Sequence, residues 1–478
     1  MEFNNHAPIS TAWRFRPAER RTILVAGDLI VSLLALGFGL YFWGIGDIWL
    51  GFSMEFLRVR VPEWFYLMPL IWLGLLLEMY DLHRAASWKE TVRGIGTATL
   101  VGFGLYLLLF FALSAQPRAL LPRRGVAGFI VTVSLLTLAW RYAFTRIVAR
   151  EAFMRRFLVV GAGRPGWVIL QVLNALTPPP FQVVGVIDDD PHKKDTLLEG
   201  FPVFGGCDKM EEVVKEHQVS DIIVAILGEV RGEMFRALLH AQELGVELIN
   251  MPAMYEELLN RLPIQHLDAN WLLRSFGEEA RVSVFYRMGK RIIDVAGGLA
   301  GTLFFLFILP FVALATWIDS GRPIFYTQAR CGLGGKPYNM TKFRTMRQDA
   351  EADGKAKWAD EKDDRITRLG HFLRRTHLDE MPQFLHVLLG EMSLVGPRAE
   401  RPELVEALEQ TIPFYRARLL VKPGITGWAQ LNYGYVATVK ETLVKLEYDL
   451  YYIKHRSLWL DILILLRTPW TMLGLRGR

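Results

Sequence analysis

The chain has 478 residues, too many for one ordinary hydrophobic core, so several domains are expected. With 51% hydrophobic and only 22% charged residues, its composition excludes an ordinary cytosolic protein and makes lipid the solvent for part of it. The net charge of +6 suits nucleic acid, anionic lipid and phosphorylated substrates alike, while Cys207 and Cys331, far apart and without C-x-x-C spacing, exclude a disulfide framework and a thiolate metal site.

Four apolar runs come first, Thr22 to Trp43, Trp64 to Tyr80, Ile95 to Leu113 and Val126 to Phe144, each near the length that crosses hydrocarbon. They predict a four-helix transmembrane bundle over residues 1–150. Arg14, Arg16, Arg20 and Arg21 precede the first run, Arg84, Lys89 and Arg93 lie between the second and third, and Arg146, Arg150, Arg155 and Arg156 follow the fourth. The opposite loops carry fewer cations, Arg58 and Arg60, then Arg118, Arg123 and Arg124, so the positive-inside rule puts both ends of the bundle in the cytoplasm. No small-residue cleavage site closes the first run, which stays as an anchor. Asp28 falls inside it, and a basic side chain such as Arg141 is the expected partner.

Over residues 151–255 short β-rich runs, Phe157 to Gly161, Gln182 to Ile187 and Asp221 to Ile226, alternate with helical stretches and predict a Rossmann-like parallel α/β domain. Gly161-Ala-Gly-Arg-Pro-Gly166 follows the first strand with the spacing of a nucleotide-binding loop through Gly161, Gly163 and Gly166, and Asp188 to Asp190 are its ribose candidates. Pro165 departs from the usual fingerprint. This motif carries a competing function, a nucleotide-sugar oxidoreductase or epimerase, to which Tyr286-Arg-Met-Gly-Lys290 adds a Tyr-x-x-x-Lys spacing. That pair stands at the entrance to an apolar helix, where coincidence is the expected reading. Residues 256–285 show no clear period and read as a linker.

The final domain, 286–478, opens with a fifth apolar run, Ile292 to Ile318, interrupted by Pro310 and flanked by Lys290, Arg291 and Arg322. The later run Leu458 to Leu475 contains Asp461, Arg467 and Pro469 and reads as interfacial, so nothing returns the chain after a crossing. A re-entrant helix that breaks at Pro310 and leaves by the face it entered satisfies this; a simple spanning helix is the alternative.

Beyond it, Arg330, Lys336, Lys342, Arg344 and Arg347 alternate with Tyr326, Tyr338 and Phe343, either as solvated charges or as a strand pair presenting cations to a phosphorylated ligand at the bilayer surface. Arg365 to Arg375 predicts an amphipathic helix with Ile366, Leu369, Phe372 and Leu373 on its apolar face. In His377-Leu-Asp-Glu-Met-Pro-Gln383, Asp379 and Glu380 are expected at a helix N-terminus, with Asp379 a good N-cap. Capping and dipole complementarity would account for both carboxylates structurally. Chemically, Arg374, Arg375 and the dipole would keep Asp379 ionised as a nucleophile towards phosphorus, while Glu380 holds a hard cation. Val395-Gly-Pro-Arg398 sets an arginine in a tight turn suited to phosphate, and Lys422 to Gln430 forms a second turn-rich loop; either also reads as purely structural.

Lys290-Arg-Ile-Ile-Asp294, Lys342-Phe-Arg-Thr-Met346, Leu378-Asp-Glu-Met-Pro-Gln383, Gly396-Pro-Arg398 and Lys422 to Gln430, in this order, resemble the monotopic polyprenyl-phosphate sugar-1-phosphate transferases of bacterial capsule, exopolysaccharide and O-antigen assembly. With the bundle and α/β domain ahead, the whole chain looks like the long form of that family. The resemblance implies transfer of a sugar-1-phosphate from a UDP-sugar to undecaprenyl phosphate with release of UMP. Asp379 would be the nucleophile, Glu380 with Asp379 the Mg²⁺ ligands, and Lys342, Arg344 and Arg398, with Arg374 and Arg375 beside them, the substrate-binding cations. It further implies a multi-pass protein of the bacterial inner membrane with its catalytic domain on the cytoplasmic face, in contact with membrane lipid, a homodimer, and no nucleic-acid partner. The chain departs from the family at Ala399, where relatives often carry proline, and at Leu309-Pro310, where small relatives carry Ser-Pro. A non-catalytic polysaccharide-assembly scaffold is a third reading, against which the intact Asp379-Glu380 pair speaks.

Overall fold

The computed structural model describes residues 17–80, 84–85, 87–112, 122–147, 154–176, 179, 181–230, 232–267, 283–347, 365–434 and 438–472. Arg14, Arg16, Arg118 and Arg150 of the expected charge asymmetry, and residues 268–282 of the expected linker, lie outside them. The chain forms two compact units, Met1–Met251 and Pro252–Arg478.

In the first unit, α1 (Pro17–Ile45), α3 (Trp88–Ala112) and α4 (Arg123–Ile147) are single long helices, but the second apolar run is not. It is divided into a 3-10 turn Glu63–Leu67, a short helix α2 (Met68–Leu75) and another 3-10 turn Leu77–Tyr80. Pro62 and Pro69 start these pieces, because proline is suited to a helix's first turn and lacks the N–H needed further in. The broken segment still runs along the bundle. Phe65 packs edge-on against Trp43 near the C-terminal end of α1, ring centroids 5.9 Å apart, and the Met79 carbonyl accepts from Arg141 at 2.7 Å. Arg141 also donates to Asp28 at 2.6 Å, with both side chains fully buried, so the expected partner of Asp28 is the observed one. Removing either charge would strand the other in the bundle interior, which makes the pair a structural pin rather than a site.

A six-stranded sheet follows in the order β3-β4-β2-β1-β5-β6, built from β1 (Arg156–Val160), β2 (Gln182–Ile187), β3 (Leu197–Leu198), β4 (Phe201–Gly205), β5 (Asp221–Val224) and β6 (Glu247–Asn250). All neighbours are parallel except β3 and β4. Central strands β1 and β5 are apolar after their first residue because both faces are buried: Leu158, Val160, Ile222 and Val224 on one face lie against residues of α6 (Met210–Glu216) and α7 (Gly232–Glu243), and Phe157, Val159 and Ile223 on the other are buried too.

The second unit opens with a segment that the sequence pattern leaves as linker. Residues 252–267 pack into the core of this unit: Leu262 and Ile264 are 0% and 1% exposed and cluster with Trp428, Leu450 and Ile453. The Asn260 carbonyl accepts from Trp428 Nε1 at 2.9 Å, the Leu262 amide donates to the Glu447 carbonyl at 3.2 Å, and Tyr255 donates to the Glu447 carboxylate at 3.2 Å.

Helix α9 (Val284–Ser320) continues through Pro310, which therefore removes one donor inside the helix without ending it. Among the described residues, four helices, Glu19–Ile45, Trp88–Phe111, Arg123–Ile147 and Val284–Ser320, are long and apolar enough to cross a membrane, and the chain is a membrane protein. One face of α9 exposes Leu303, Phe307, Phe311 and Leu314; the other is buried along its length. At Gly301 a Cβ would come within 2.2 Å of the Phe384 ring, so the glycine is what lets α11 (Gln383–Leu389) lie against it. Further along, Phe305 and Val312 cluster with Phe343 and Leu373.

Candidate active site

The motif Lys290-Arg-Ile-Ile-Asp294 is a clamp. Lys290 Nζ reaches the Val395 carbonyl at 3.0 Å and Asp461 at 3.1 Å, Arg291 donates to the Val387 and Leu388 carbonyls at the end of α11, and Asp294 accepts from Ser393 Oγ and the Leu394 amide, each at 2.9 Å. Tyr286 OH also donates to Asp461, at 3.1 Å. Both members of the Tyr-x-x-x-Lys spacing thus bond to Asp461 of α15 (Leu458–Met472).

At the other end of α9, one nitrogen of Arg344 donates to the Ser320 and Gly321 carbonyls at 2.7 and 2.6 Å. The expected place of Arg344 is beside the substrate; instead it is 6% exposed and ties off the helix C-terminus, where free carbonyls attract a cation.

Between these anchors, β7 (Phe325–Cys331) and β8 (Pro337–Phe343) pair antiparallel, Tyr326 opposite Lys342, and form the expected strand pair. Helix α10 (Arg368–Thr376) follows, started by its Thr367 N-cap and stopped at His377 in the left-handed region, φ 57°. His377 turns the chain directly into a 3-10 turn, Leu378–Glu380, that holds both carboxylates. The expected N-cap role of Asp379 is not observed, because Pro382 caps α11 and the intervening 3-10 turns move Asp379 upstream of the helix.

Glu380 Oε1 accepts from Lys342 Nζ at 2.6 Å and from Arg398 at 3.0 Å. Burial works against ionising Glu380, and these two cations overcome it, holding the carboxyl well below its usual range. Asp379 accepts no hydrogen bond from any described residue. Burial and the adjacent Glu380 charge push its carboxyl above the usual range, against the pull of Lys342, Arg374 and Arg398. Of the two arginines expected to keep it ionised, Arg374 contributes, with its Nε engaged by Thr345 Oγ1 at 2.9 Å, while Arg375 is exposed and is not among the leading influences. Asp379 is 8% exposed and lies near Arg398, whose side chain is 43% exposed, so the pair is shielded without being sealed.

Arg398 reaches Glu380 because two loops lock together. Strands β9 (Ser393–Val395) and β10 (Gly424–Thr426) are parallel, and a Cβ at Gly424 would sit 2.1 Å from the Gly396 amide. Only glycine permits that approach. The loops Val395 to Arg398 and Lys422 to Gln430 therefore support each other and present Arg398. The structure brings Asp379, Glu380, Lys342, Arg374 and Arg398 together, while Arg344 bonds the end of α9 and Arg375 is exposed. Sequence reading missed Glu400, Arg418, Lys445 and Asp449, a buried charge network behind Arg398; the available signal was Lys445 and Asp449, four residues apart on a helix beside Leu446 and Leu450.

In the first unit, Gly161 follows β1, Gly163 is the N-cap of α5 (Arg164–Ala175), and Gly166 lies in its first turn. The Ala162 amide donates to Asp188 at 2.6 Å, and Lys193 pairs with the same carboxylate at 3.2 Å. A nearby cavity of about 640 Å³ is lined by Asp188, Asp189, Asp190, Asp208 and Glu233 against Lys194.

Residues 285–474 match the model of the family described as bacterial sugar transferase, and residues 75–252 match that of a CoA-binding domain. The UDP-glucose:undecaprenyl-phosphate glucose-1-phosphate transferase of Xanthomonas campestris pv. campestris is 30% identical over 357 residues, 73% of this chain and 72% of that protein. The chain belongs to the bacterial sugar transferase family. The UDP-N-acetylgalactosamine-undecaprenyl-phosphate N-acetylgalactosaminephosphotransferase of Aeromonas hydrophila is 37% identical over 53% of this chain, a stretch that spans 59% of that relative's length. A UDP-glucose:undecaprenyl-phosphate glucose-1-phosphate transferase of Caulobacter vibrioides is 40% identical over 41% of this chain and 73% of its own. The α/β domain does not fit a CoA-like ligand. Pro165 deletes an amide donor in the helix turn where a phosphate would bind, the Ala162 donor is taken by Asp188, and the cavity beside them is strongly acidic.

Proposed function

We propose that this bacterial sugar transferase moves a sugar-1-phosphate from a UDP-sugar to undecaprenyl phosphate, with Asp379 as nucleophile, as the first membrane step of a surface polysaccharide. The observation that carries this is the contrast within one pair: Glu380 is neutralised by Lys342 and Arg398, while Asp379 beside it accepts no hydrogen bond from any described residue. In the first step an Asp379 oxygen bonds to the β-phosphorus, the bond from that phosphorus to the bridging oxygen breaks, and UMP leaves with the bridging oxygen. An oxygen of the lipid phosphate then bonds to the same phosphorus and Asp379 departs as a carboxylate, leaving polyprenyl diphosphate-sugar.

Lys342, Arg374 and Arg398 exceed the two carboxylates by one charge, fewer than a diphosphate brings, so the site suits an added divalent cation. The free oxygens of Asp379 and the second oxygen of Glu380 suit Mg²⁺, which needs only one or two carboxylates when substrate phosphates supply the rest. When bound it would neutralise the charge of the diphosphate being cleaved. The half-exposed Arg398 guanidinium suits contact with the departing phosphate.

Helix α9 is re-entrant on this reading. Lys290 near one end and Ser320 at the other both bond to residues of the same catalytic unit, which supports entry and exit on one face, the cytoplasmic face where UDP-sugars are found. Residues 1–150 act as the anchoring bundle, and the Rossmann-like domain has a structural or regulatory role.

UMP release from a panel of UDP-sugars, with undecaprenyl phosphate and Mg²⁺ present, tests the activity, and silence from the whole panel would count against it. The pH profile tests the roles. The nucleophile must be ionised, so the acid limb of kcat/KM is expected above the ordinary aspartate range. Glu380→Gln removes a neighbouring negative charge and frees Lys342 and Arg398, so the acid limb of its residual turnover is expected at lower pH than in the wild type. An unmoved or raised limb would separate Asp379 from the titration.

A further inference from the structure

We infer that Arg418 is a positioning residue that fixes the backbone at Arg398 and so aims the Arg398 guanidinium at Glu380. This rests on the transferase reading above. Arg418 lies in the 3-10 segment Tyr415–Leu420, is 4% exposed and does not touch Asp379 or Glu380. One of its terminal nitrogens donates both to the Arg398 carbonyl at 3.0 Å and to Asp449 at 2.9 Å. The other donates to Tyr415 OH at 2.7 Å and stands 3.6 Å from Glu400.

Three successive residues of the loop are each held by a cation from a different element. Arg418 takes the Arg398 carbonyl, Arg330 on β7 takes the Ala399 carbonyl at 3.1 Å, and Lys445 on α14 (Val439–His455) pairs with Glu400 at 2.9 Å. Burial raises the Glu400 carboxyl, but Lys445 and Arg418 bring it down to about 2, so it stays an anion behind the loop. Ahead of these residues, the Val395 carbonyl accepts from Lys290 and the Pro397 carbonyl from the Gly424 amide.

Loops ordinarily move more than the elements they join. This one is fastened at five of its carbonyls, since that of Glu400 also accepts from the Cys331 amide at 2.9 Å, and its half-exposed part is the side chain that meets Glu380. The arrangement suits a group that must be in place before a diphosphate arrives, since a misplacement of about 1 Å in a catalytic constellation can cost roughly a hundredfold in rate. Lysine cannot substitute for the hub: it would keep the charge beside Asp449, but a single ammonium lacks the planar fork that serves Asp449, Tyr415 and the Arg398 carbonyl together.

The test uses the purified full-length protein with Arg418→Lys, Asp449→Asn, Arg398→Lys and the two doubles that include Arg398→Lys. Turnover, melting temperature and hydrogen exchange of the segment 395–401 are measured for each. Arg418→Lys is expected to lower kcat about tenfold in the wild-type background and less than twofold in the Arg398→Lys background, because a residue acting through Arg398 has little left to lose there. Exchange in 395–401 is expected to quicken at least tenfold. Asp449→Asn, of nearly the same shape, is expected to show the same pattern more weakly and decides the matter if Arg418→Lys does not fold. Equal losses in both backgrounds, or unchanged exchange in 395–401, would overturn the inference. A wild-type protein without turnover counts against the transferase reading, and the exchange measurement then still judges the hub.

Discussion

Asp379→Asn is expected to abolish sugar-phosphate transfer while leaving the fold intact. The substitution keeps the size of the side chain, and Asp379 has no hydrogen-bond partner among the described residues, so no structural bond is broken. It also relieves the burial of a charge beside Glu380, and a melting temperature at or above that of the wild type is expected. An amide cannot form the acyl phosphate, and removal of a nucleophile typically costs roughly 10⁴-fold or more. UMP release at saturating UDP-sugar is the measurement. Loss of activity with loss of folding would reduce Asp379 to a structural carboxylate.

The second large effect is expected from residues 252–267. Leu262 and Ile264 are fully buried in the core of the catalytic unit, and each such side chain contributes about 1.5–3 kcal/mol through burial. A chain that begins at residue 283 would expose the surface around Trp428, Leu450 and Ile453 and leave the buried Glu447 without Tyr255. It is expected not to accumulate as folded protein, whereas one that begins at residue 250 should. In the full-length chain, Leu262→Ala should destabilise the catalytic unit by about 2–5 kcal/mol, visible as an earlier melting transition. Equal stability of the two truncated chains would make this segment a linker after all.

That segment also marks where sequence patterns stop being informative. Its buried residues are spaced by turns and prolines, Leu262-Pro-Ile264, so no helical or strand period announces them; only their tertiary partners make them core. The long helices α1, α3, α4 and α9 are legible because hydrophobicity sustained over such lengths seldom arises outside a membrane, and the Asp28–Arg141 pair because an isolated charge there demands a partner. The break in the second run is not legible from apolar length, although Pro69 and Gly74 stand within it. At the site, motif order points to Asp379, Glu380, Lys342 and Arg398, and the structure gathers them. Geometry alone separates Arg344, two residues from Lys342, which serves the end of α9 instead. The placement of Asp379 in a 3-10 turn depends on His377 adopting a left-handed conformation, which histidine enters more readily than most residues but too seldom for its presence to announce the turn. The charge network behind Arg398 draws on β7, the Tyr415–Leu420 segment and α14, so a local pattern could show only its Lys445 and Asp449 part.

A covalent bond between Asp379 and the sugar phosphate is measured most directly without the lipid. Full-length protein mixed with UDP-sugar and Mg²⁺ should release a burst of UMP equal to the enzyme present. The peptide containing Asp379 should gain the mass of the sugar phosphate and lose it once polyprenyl phosphate is added. UMP release that requires the lipid from the first turnover, with that peptide unmodified, would contradict the account.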